Sequence, residues 1–270
     1  MEPQHTITEI KPRGRTGSDL ERTIILADMD DTIVNRGATI IHHMEAALLA
    51  FGKKVARKEL EETNDFDDII NASGIDPKVF WPHFDTIDTP ETRIRDIKKG
   101  HIAFYADTLP FLHALGKRTI IVTNTPYEKT QPQAELLGLD TQVIAIYAPS
   151  QIDFKNNYEA LYKPHHSSAM TALTLGGYTP QNGIRELDHI FVVGDGKADM
   201  QLAENLQSHF RDIGISTVVH GIHIHRRTGN GIKADIMVDG TIPLLKALNI
   251  ILYRLCCGNG SSKKGYNHKA

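Results

Sequence analysis

Thr23 to Ala27 (TIILA) is the stretch that most narrows what this chain can become. A short apolar, mainly β-branched run with no polar alternation makes a strand that must be covered on both faces. It runs without a break into Asp28-Met29-Asp30-Asp31-Thr32. A strand buried on both sides needs helices above and below it, and a helix-period segment does follow. From Ala38, the residues Ile40, Ile41, Met44, Ala47, Leu48 and Phe51 fall on one side of a helix that Gly52 ends.

The strand–helix alternation is interrupted and then resumes. Arg57 to Asn71 reads as a second helix, and Asp76-Pro77 supplies an N-cap with proline at the first helical position. A further helix runs from Pro90-Glu91 to Gly100, so residues 36–100 read as an all-helical insertion. After Gly100, Leu109 to Leu115 is helical, Arg118 to Val122 a strand, and Gln131 to Leu137 a helix ended by Gly138. Gln142 to Ile146 is the third strand, Ser167 to Leu175 a helix, His189 to Val193 the fourth strand, and Met200 to Phe210 a helix. Ile215 to Val219 and Ile236 to Val238 read as short strands, and Ile242 to Leu255 as a final helix. The expected fold class is therefore α/β, a Rossmann-like parallel sheet with helices on both faces and an inserted helical module. The domain plan is a polar lead-in over 1–22, a core over 23–35 and 101–255, the insertion over 36–100, and a polar tail over 256–270. A 270-residue chain has room for one core and one smaller module.

Composition excludes several classes. The formal net charge is −3 with the charges dispersed, so there is no basic stripe for a nucleic acid. The only cysteines, Cys256 and Cys257, are neighbours and can build no disulfide framework, which fits a reduced, cytoplasmic protein. The first 22 residues hold no apolar run of the secretory kind, and no stretch is long and apolar enough to span a bilayer. The expected partner is a small molecule rather than a nucleic acid or a membrane.

In an open parallel sheet, ligands bind beyond the carboxyl ends of the strands. Those ends are where the polar residues gather. The first strand ends in Asp28 to Thr32, the second in Thr123-Asn124-Thr125-Pro126, and the fourth in Gly194-Asp195-Gly196-Lys197-Ala198-Asp199. Lys163-Pro164 stands before the fourth strand. In this order the chain resembles the haloacid dehalogenase superfamily, over residues 23–255. Its Asp-x-Asp-x-Thr motif is matched by Asp28, Asp30 and Thr32, its strand-terminal Thr or Ser by Thr123, its lone Lys by Lys163, and its Gly-Asp-x-x-x-Asp by Gly194, Asp195 and Asp199. Asp31 stands where the family often has Gly.

The resemblance implies a magnesium-dependent phosphatase acting on a small phosphorylated metabolite. An anionic ester admits a carboxylate nucleophile only when positive charge compensates, which a hard divalent cation among oxygens supplies. Asp28 is the implied nucleophile and Asp30 the implied acid and base. Mg²⁺ is expected on Asp28, Asp195 and the Asp30 backbone carbonyl, with Lys163 as a second compensating charge. Thr123 and the Asn124 N–H are expected to hold phosphoryl oxygens. Thr32 and Asp199 are expected to act behind the metal ligands, Asp199 by orienting Lys163 or a metal-bound water. The helical insertion matches the cap of small-molecule phosphatases such as phosphoglycolate phosphatase. Alternatives are a phosphomutase, a phosphonate hydrolase using Lys53 or Lys54, and a non-catalytic scaffold.

Other residues admit simpler readings. His220, His223 and His225 invite a second metal, yet no Cys or carboxylate stands at ligand spacing. His165 and His166 read as surface residues, Arg36 and the Lys53-Lys54 pair as solvated, and Phe80, Trp81 and Phe84 as the packed seam of the helical module, with a substrate-facing place for one of them as the alternative.

Overall fold

The computed structural model describes residues 22–63, 65–151, 159–226 and 236–239. The expected lead-in up to residue 21, the helix over 242–255, the cysteine pair and the tail lie outside the described residues. No described helix is long and apolar enough to cross a membrane.

Strand β1 (Thr23–Ala27) is buried at every position, and its side chains alternate between two cores. Ile24 and Leu26 enter one apolar cluster, whereas Ile25 and Ala27 enter the other. This is the double burial that an unalternating run requires. Strands β4 (Thr119–Val122), β5 (Ala145–Tyr147), β6 (His189–Gly194), β7 (Val218–His225) and β8 (Ile236–Asp239) complete a six-stranded parallel sheet in the order β5-β4-β1-β6-β7-β8. The order reverses direction at β1, so its carboxyl end sits at the ligand crevice of such a sheet.

Helices α6 (Thr108–Leu115) and α7 (Tyr127–Leu137) cover one face, through Phe111, Leu112, Leu115 and Ala134. Helices α8 (His166–Leu175) and α9 (Lys197–Asp212) cover the other, through Leu173, Leu202, Leu206 and Phe210.

Between β1 and β4 lies the helical stretch: α1 (Gly37–Ala50), α2 (Arg57–Glu62), α3 (Phe66–Ala72), α4 (Pro77–Ile87) and α5 (Pro90–Lys98). It has its own core of Ile40, Met44, Leu48, Leu60, Ile70, Phe80 and Phe84. Where the chain leaves and re-enters the sheet domain, β2 (Val34–Asn35) and β3 (Ala103–Phe104) pair antiparallel. Helix α5 packs on α7, which seats the helical module against the sheet domain.

Two expectations need correction. Arg57 to Asn71 is not one helix. Thr63 turns extended, its hydroxyl bonds the backbone of Asp65, and the Asp65 carboxylate caps a new helix by accepting from Asp67 N. A capping aspartate inside a polar helical stretch is a start signal as strong as the periodicity it interrupts. The fifth strand is also later and longer than Ile215 to Val219. Residues 220–225 are the strand itself rather than a loop after it.

Candidate active site

The Asp28 backbone N–H donates to Val193 O at 2.9 Å, which carries the β1–β6 pairing one residue past the strand. The chain then turns sharply. Asp31 adopts a left-handed backbone at φ 59, unusual for a residue with a Cβ. Its carboxylate compensates by accepting from the Arg36 backbone N–H at 3.1 Å. Asp31 therefore fills the turn position where glycine is common, and its side chain braces the loop.

Four motif residues converge behind this turn. The Lys163 Nζ donates to Asp28 Oδ1 at 2.5 Å and to Asp199 Oδ1 at 2.7 Å, all three side chains being buried. Carboxylate oxygens of Asp28, Asp195 and Asp199 lie within 4.8 Å of one another. The Thr32 hydroxyl donates to Asp195 Oδ1 and accepts from Asp195 N, both at 3.1 Å, tying the first motif to the fourth. Asn124 fixes the backbone of Lys163 reciprocally: its Oδ1 accepts from Lys163 N at 2.8 Å and its Nδ2 donates to Lys163 O at 3.1 Å. Thr123 is buried, with Oγ1 accepting from Thr125 N at 3.1 Å. Gly194 is required by space, since a Cβ there would stand 2.2 Å from the Asp199 carboxyl group.

The electrostatics of this cluster are unbalanced. Burial pushes Asp28 up to about 7, although Lys163 pulls against it, and Asp199 and Asp30 add repulsion. Lys163 is disfavoured as a cation by burial, but Asp199 and then Asp28 more than reverse this and raise its pKa. Three carboxylates, all oxygen donors, gather here, and two of them share Lys163. That set suits a hard divalent cation, whose charge would also return Asp28 to its ionised form.

Asp30 behaves differently. Its carboxylate is turned toward Arg93 Nη1 at 3.0 Å, Arg36 Nη1 at 3.3 Å, Thr125 Oγ1 at 2.9 Å and Gln133 Nε2 at 3.1 Å. Burial raises its pKa, yet Arg93 and then Arg36 and Thr125 outweigh it and hold the group at about 2. Asp88 anchors the same network: it accepts from Arg36, from Arg93 through both its oxygens, and from Lys129, with His43 Nδ1 3.2 Å away. Lys129 also pairs closely with Asp85.

Arg36 is thus buried and ion-paired, not solvated as expected. Lys53 and Lys54 are exposed and do not line the pocket, so neither is placed for the phosphonate-cleaving role considered for them. Asp88, Arg93, Lys129 and Gln133 belong to no sequence motif, and Thr125 stood out only as part of the polar end of the second strand. Of the histidines, His223 Nε2 lies 2.9 Å from Asp195 O, and His220 sits against His189 and Phe191. Among the described residues, no histidine joins the carboxylate cluster. His165 is exposed, and its ring caps α8 through Ser167 N and stacks on His166.

A pocket of about 850 Å³ opens between the strand ends and the helical module. Asp30, Asn124, Lys163 and Asp195 line one side, and Phe66, Pro77, Trp81 and Pro82 line the other.

Residues 25–211 match a family model described as haloacid dehalogenase-like hydrolase. No curated protein matches the chain by sequence. Solved structures of similar fold include a predicted phosphatase from Clostridium acetobutylicum, 13% identical at a TM-score of 0.60, covering 87% of this chain and 98% of that one. A predicted phosphoglycolate phosphatase from Haemophilus somnus is 17% identical at 0.54, covering 84% and 96%. A family hydrolase from Deinococcus radiodurans, solved with bound phosphate and sodium, is 18% identical at 0.51, covering 84% and 95%. At these identities the likeness concerns the fold.

Proposed function

The chain belongs to the haloacid dehalogenase-like hydrolase family, and from that premise we propose that it is a magnesium-dependent phosphatase. Its substrate is a small-molecule phosphate monoester, and an aspartyl-phosphate forms on Asp28. The observation that carries the reading is the cluster of Asp28, Asp195 and Asp199, whose carboxylate oxygens lie within 4.8 Å of one another, with Lys163 bonded to Asp28 and Asp199. Carboxylates held this close repel one another, and a hard divalent cation among their oxygens relieves that repulsion.

Asp28, Asp195 and Asp199 would hold Mg²⁺, together with the Asp30 backbone carbonyl named by the family motif. The cation supplies charge neutralisation for the nucleophile and for the phosphoryl oxygens. Asp28 attacks phosphorus while the ester bond breaks, so one hard displacement becomes two easier ones. Lys163 compensates the phosphoryl charge, and Asp199 holds it in place by the hydrogen bond described above. Thr123 and the Asn124 N–H would hold phosphoryl oxygens of the transferring group. Asp30 then activates water to hydrolyse the intermediate, a base's task that its anionic form suits. Protonating the leaving oxygen asks for another arrangement: Asp30 must first exchange Arg36 and Arg93 for the ester oxygen. The helical module, closing the pocket from above, excludes bulk water.

Hydrolysis of p-nitrophenyl phosphate with Mg²⁺, with EDTA, and in Asp28→Asn tests this reading. Turnover is expected only in the first case. Activity that survives both EDTA and Asp28→Asn sinks the mechanism.

A further inference from the structure

The pocket above the strand ends is chemically two-sided, and the second side carries information about the leaving group. Three of its buried cations, Arg36, Arg93 and Lys129, are already ion-paired with Asp30, Asp85 and Asp88. An additional carboxylate on the substrate would have to displace a buried one to reach them. Lys78, also along the wall, is exposed, so a contact there would be screened by water. The arrangement therefore offers little to a doubly acidic ester.

The opposite wall offers flat apolar surface. Trp81 lines the pocket, half-buried, with Phe66, Pro77 and Pro82 beside it. Its indole ring is held on several sides. The Nε1–H donates to Asp67 Oδ1 at 2.8 Å, and the ring meets Phe80 and Phe84 edge-to-face at 5.4 and 5.3 Å between centroids. With its polar atom satisfied and its orientation fixed, the ring presents a preorganised surface for stacking. At about 850 Å³ the pocket is of the size that holds drug-sized ligands, and a two-carbon leaving group would leave most of it to water.

We propose that the leaving group accepted here is an uncharged alcohol bearing a planar aromatic ring, which packs against Trp81. This inference rests on the phosphatase reading for the phosphate end of the ligand, but the ring subsite can be tested without turnover. Trp81 is the only tryptophan in the chain, so tryptophan emission, excited selectively over tyrosine, reports on this wall alone.

The turnover experiment compares phenethyl phosphate with butyl phosphate, whose leaving alcohols differ little in acidity, and adds phosphoglycolate and a nucleoside monophosphate. The ring-bearing esters are expected to show kcat/KM at least about tenfold higher, with the difference in KM. Trp81→Ala is expected to bring the ratio toward one, and Trp81→Phe to keep most of it. The binding experiment titrates phenethyl alcohol and a nucleoside into the unmutated protein, and phenethyl phosphate into Asp28→Asn, following Trp81 emission. Saturable change with the ring compounds and none with butanol supports the subsite. Equal or better turnover of phosphoglycolate, or a ratio unmoved by Trp81→Ala, overturns it, as does unmoved Trp81 emission. If no ester is hydrolysed but the ring compounds still quench Trp81, the phosphatase reading falls and the ring subsite stands.

Discussion

Two clusters of buried charge lie side by side in this molecule, and their sums differ. In the crevice, the buried Asp28 and Asp199 share Lys163, and the half-buried Asp195 brings its carboxylate within 4.8 Å of theirs, so these four residues sum to −2 when all are ionised. In the seam between module and sheet domain, Asp30, Asp85 and Asp88 meet Arg36, Arg93 and Lys129, three against three, which leaves zero. A balanced buried network satisfies itself and serves to hold parts in register. An unbalanced one is complete only with a ligand, here a charge of +2. The comparison separates charges that hold the fold together from charges that wait for chemistry.

The largest effect should come from Asp28. Replacing it with Asn keeps the shape but removes the nucleophile, so phosphatase turnover is expected to fall by at least about a thousandfold. Steady-state kinetics with Mg²⁺ measure this. If instead Asp88→Ala in the seam cost as much turnover while Asp28→Asn cost little, the division of labour would be reversed.

Breaking the seam should show in stability. Asp88 is wholly buried and accepts from three cations, so Asp88→Ala leaves Arg36 and Arg93 to share Asp30 alone. Removing one partner of a buried charge network costs about 3–5 kcal/mol. For a chain of this size that corresponds to a melting temperature lower by roughly 10 °C. Thermal denaturation followed by circular dichroism checks it.

Both clusters were legible to different degrees in the sequence, for reasons of distance and pattern. Asp28, Thr123 and Asp195 each follow an apolar run, so strand recognition alone carries them to the same edge of the sheet. Arg93 gives no such signal. It sits in PETRIRDIK, which reads as a solvated helix, and its partners Asp30 and Gln133 stand 63 and 40 positions away on other elements. Arg36 stands only six positions from Asp30, but its other partner, Asp88, is 52 positions away on the module. The histidines of β7 invite a metal by their clustering, but the sequence could not show what His223 does: it is buried, with Nε2 2.9 Å from Asp195 O. Asp31 is the opposite case: its oddity was visible in the motif, and only its backbone dihedral and its bond to Arg36 N explain it.

Metal should sharpen the contrast at intermediate size. Saturating Mg²⁺ at about a hundred times its dissociation constant adds about 2.7 kcal/mol to a protein that binds it only when folded. Asp195→Asn is expected to lose most of that gain, whereas Asp88→Ala, though less stable at the start, is expected to keep it. Melting temperatures with Mg²⁺ and with EDTA give both differences.

The smallest effect is the most diagnostic, because its sign separates the clusters. Burial raises the Asp28 carboxyl from 3.8 to about 7 in the folded protein, so the folded state holds that proton more tightly than the unfolded chain does. Without metal, stability is then greatest below the unfolded value and is lost as pH rises through the window from 3.8 to about 7. Asn at this position carries no charge to bury, and Lys163 keeps its bond to Asp199. In EDTA, Asp28→Asn should therefore match the unmutated protein near pH 4 and exceed its melting temperature by a few degrees near pH 8. Asp30, held at about 2 by Arg93 and Arg36, gives the contrary sign: its contribution is present above 3.8 and is lost only as pH falls toward 2. If Asp28→Asn proved less stable than the parent near pH 8, the Asp28–Lys163 pair would be a net stabilising bond like those of the seam. The crevice would then have no standing charge excess for a cation to answer.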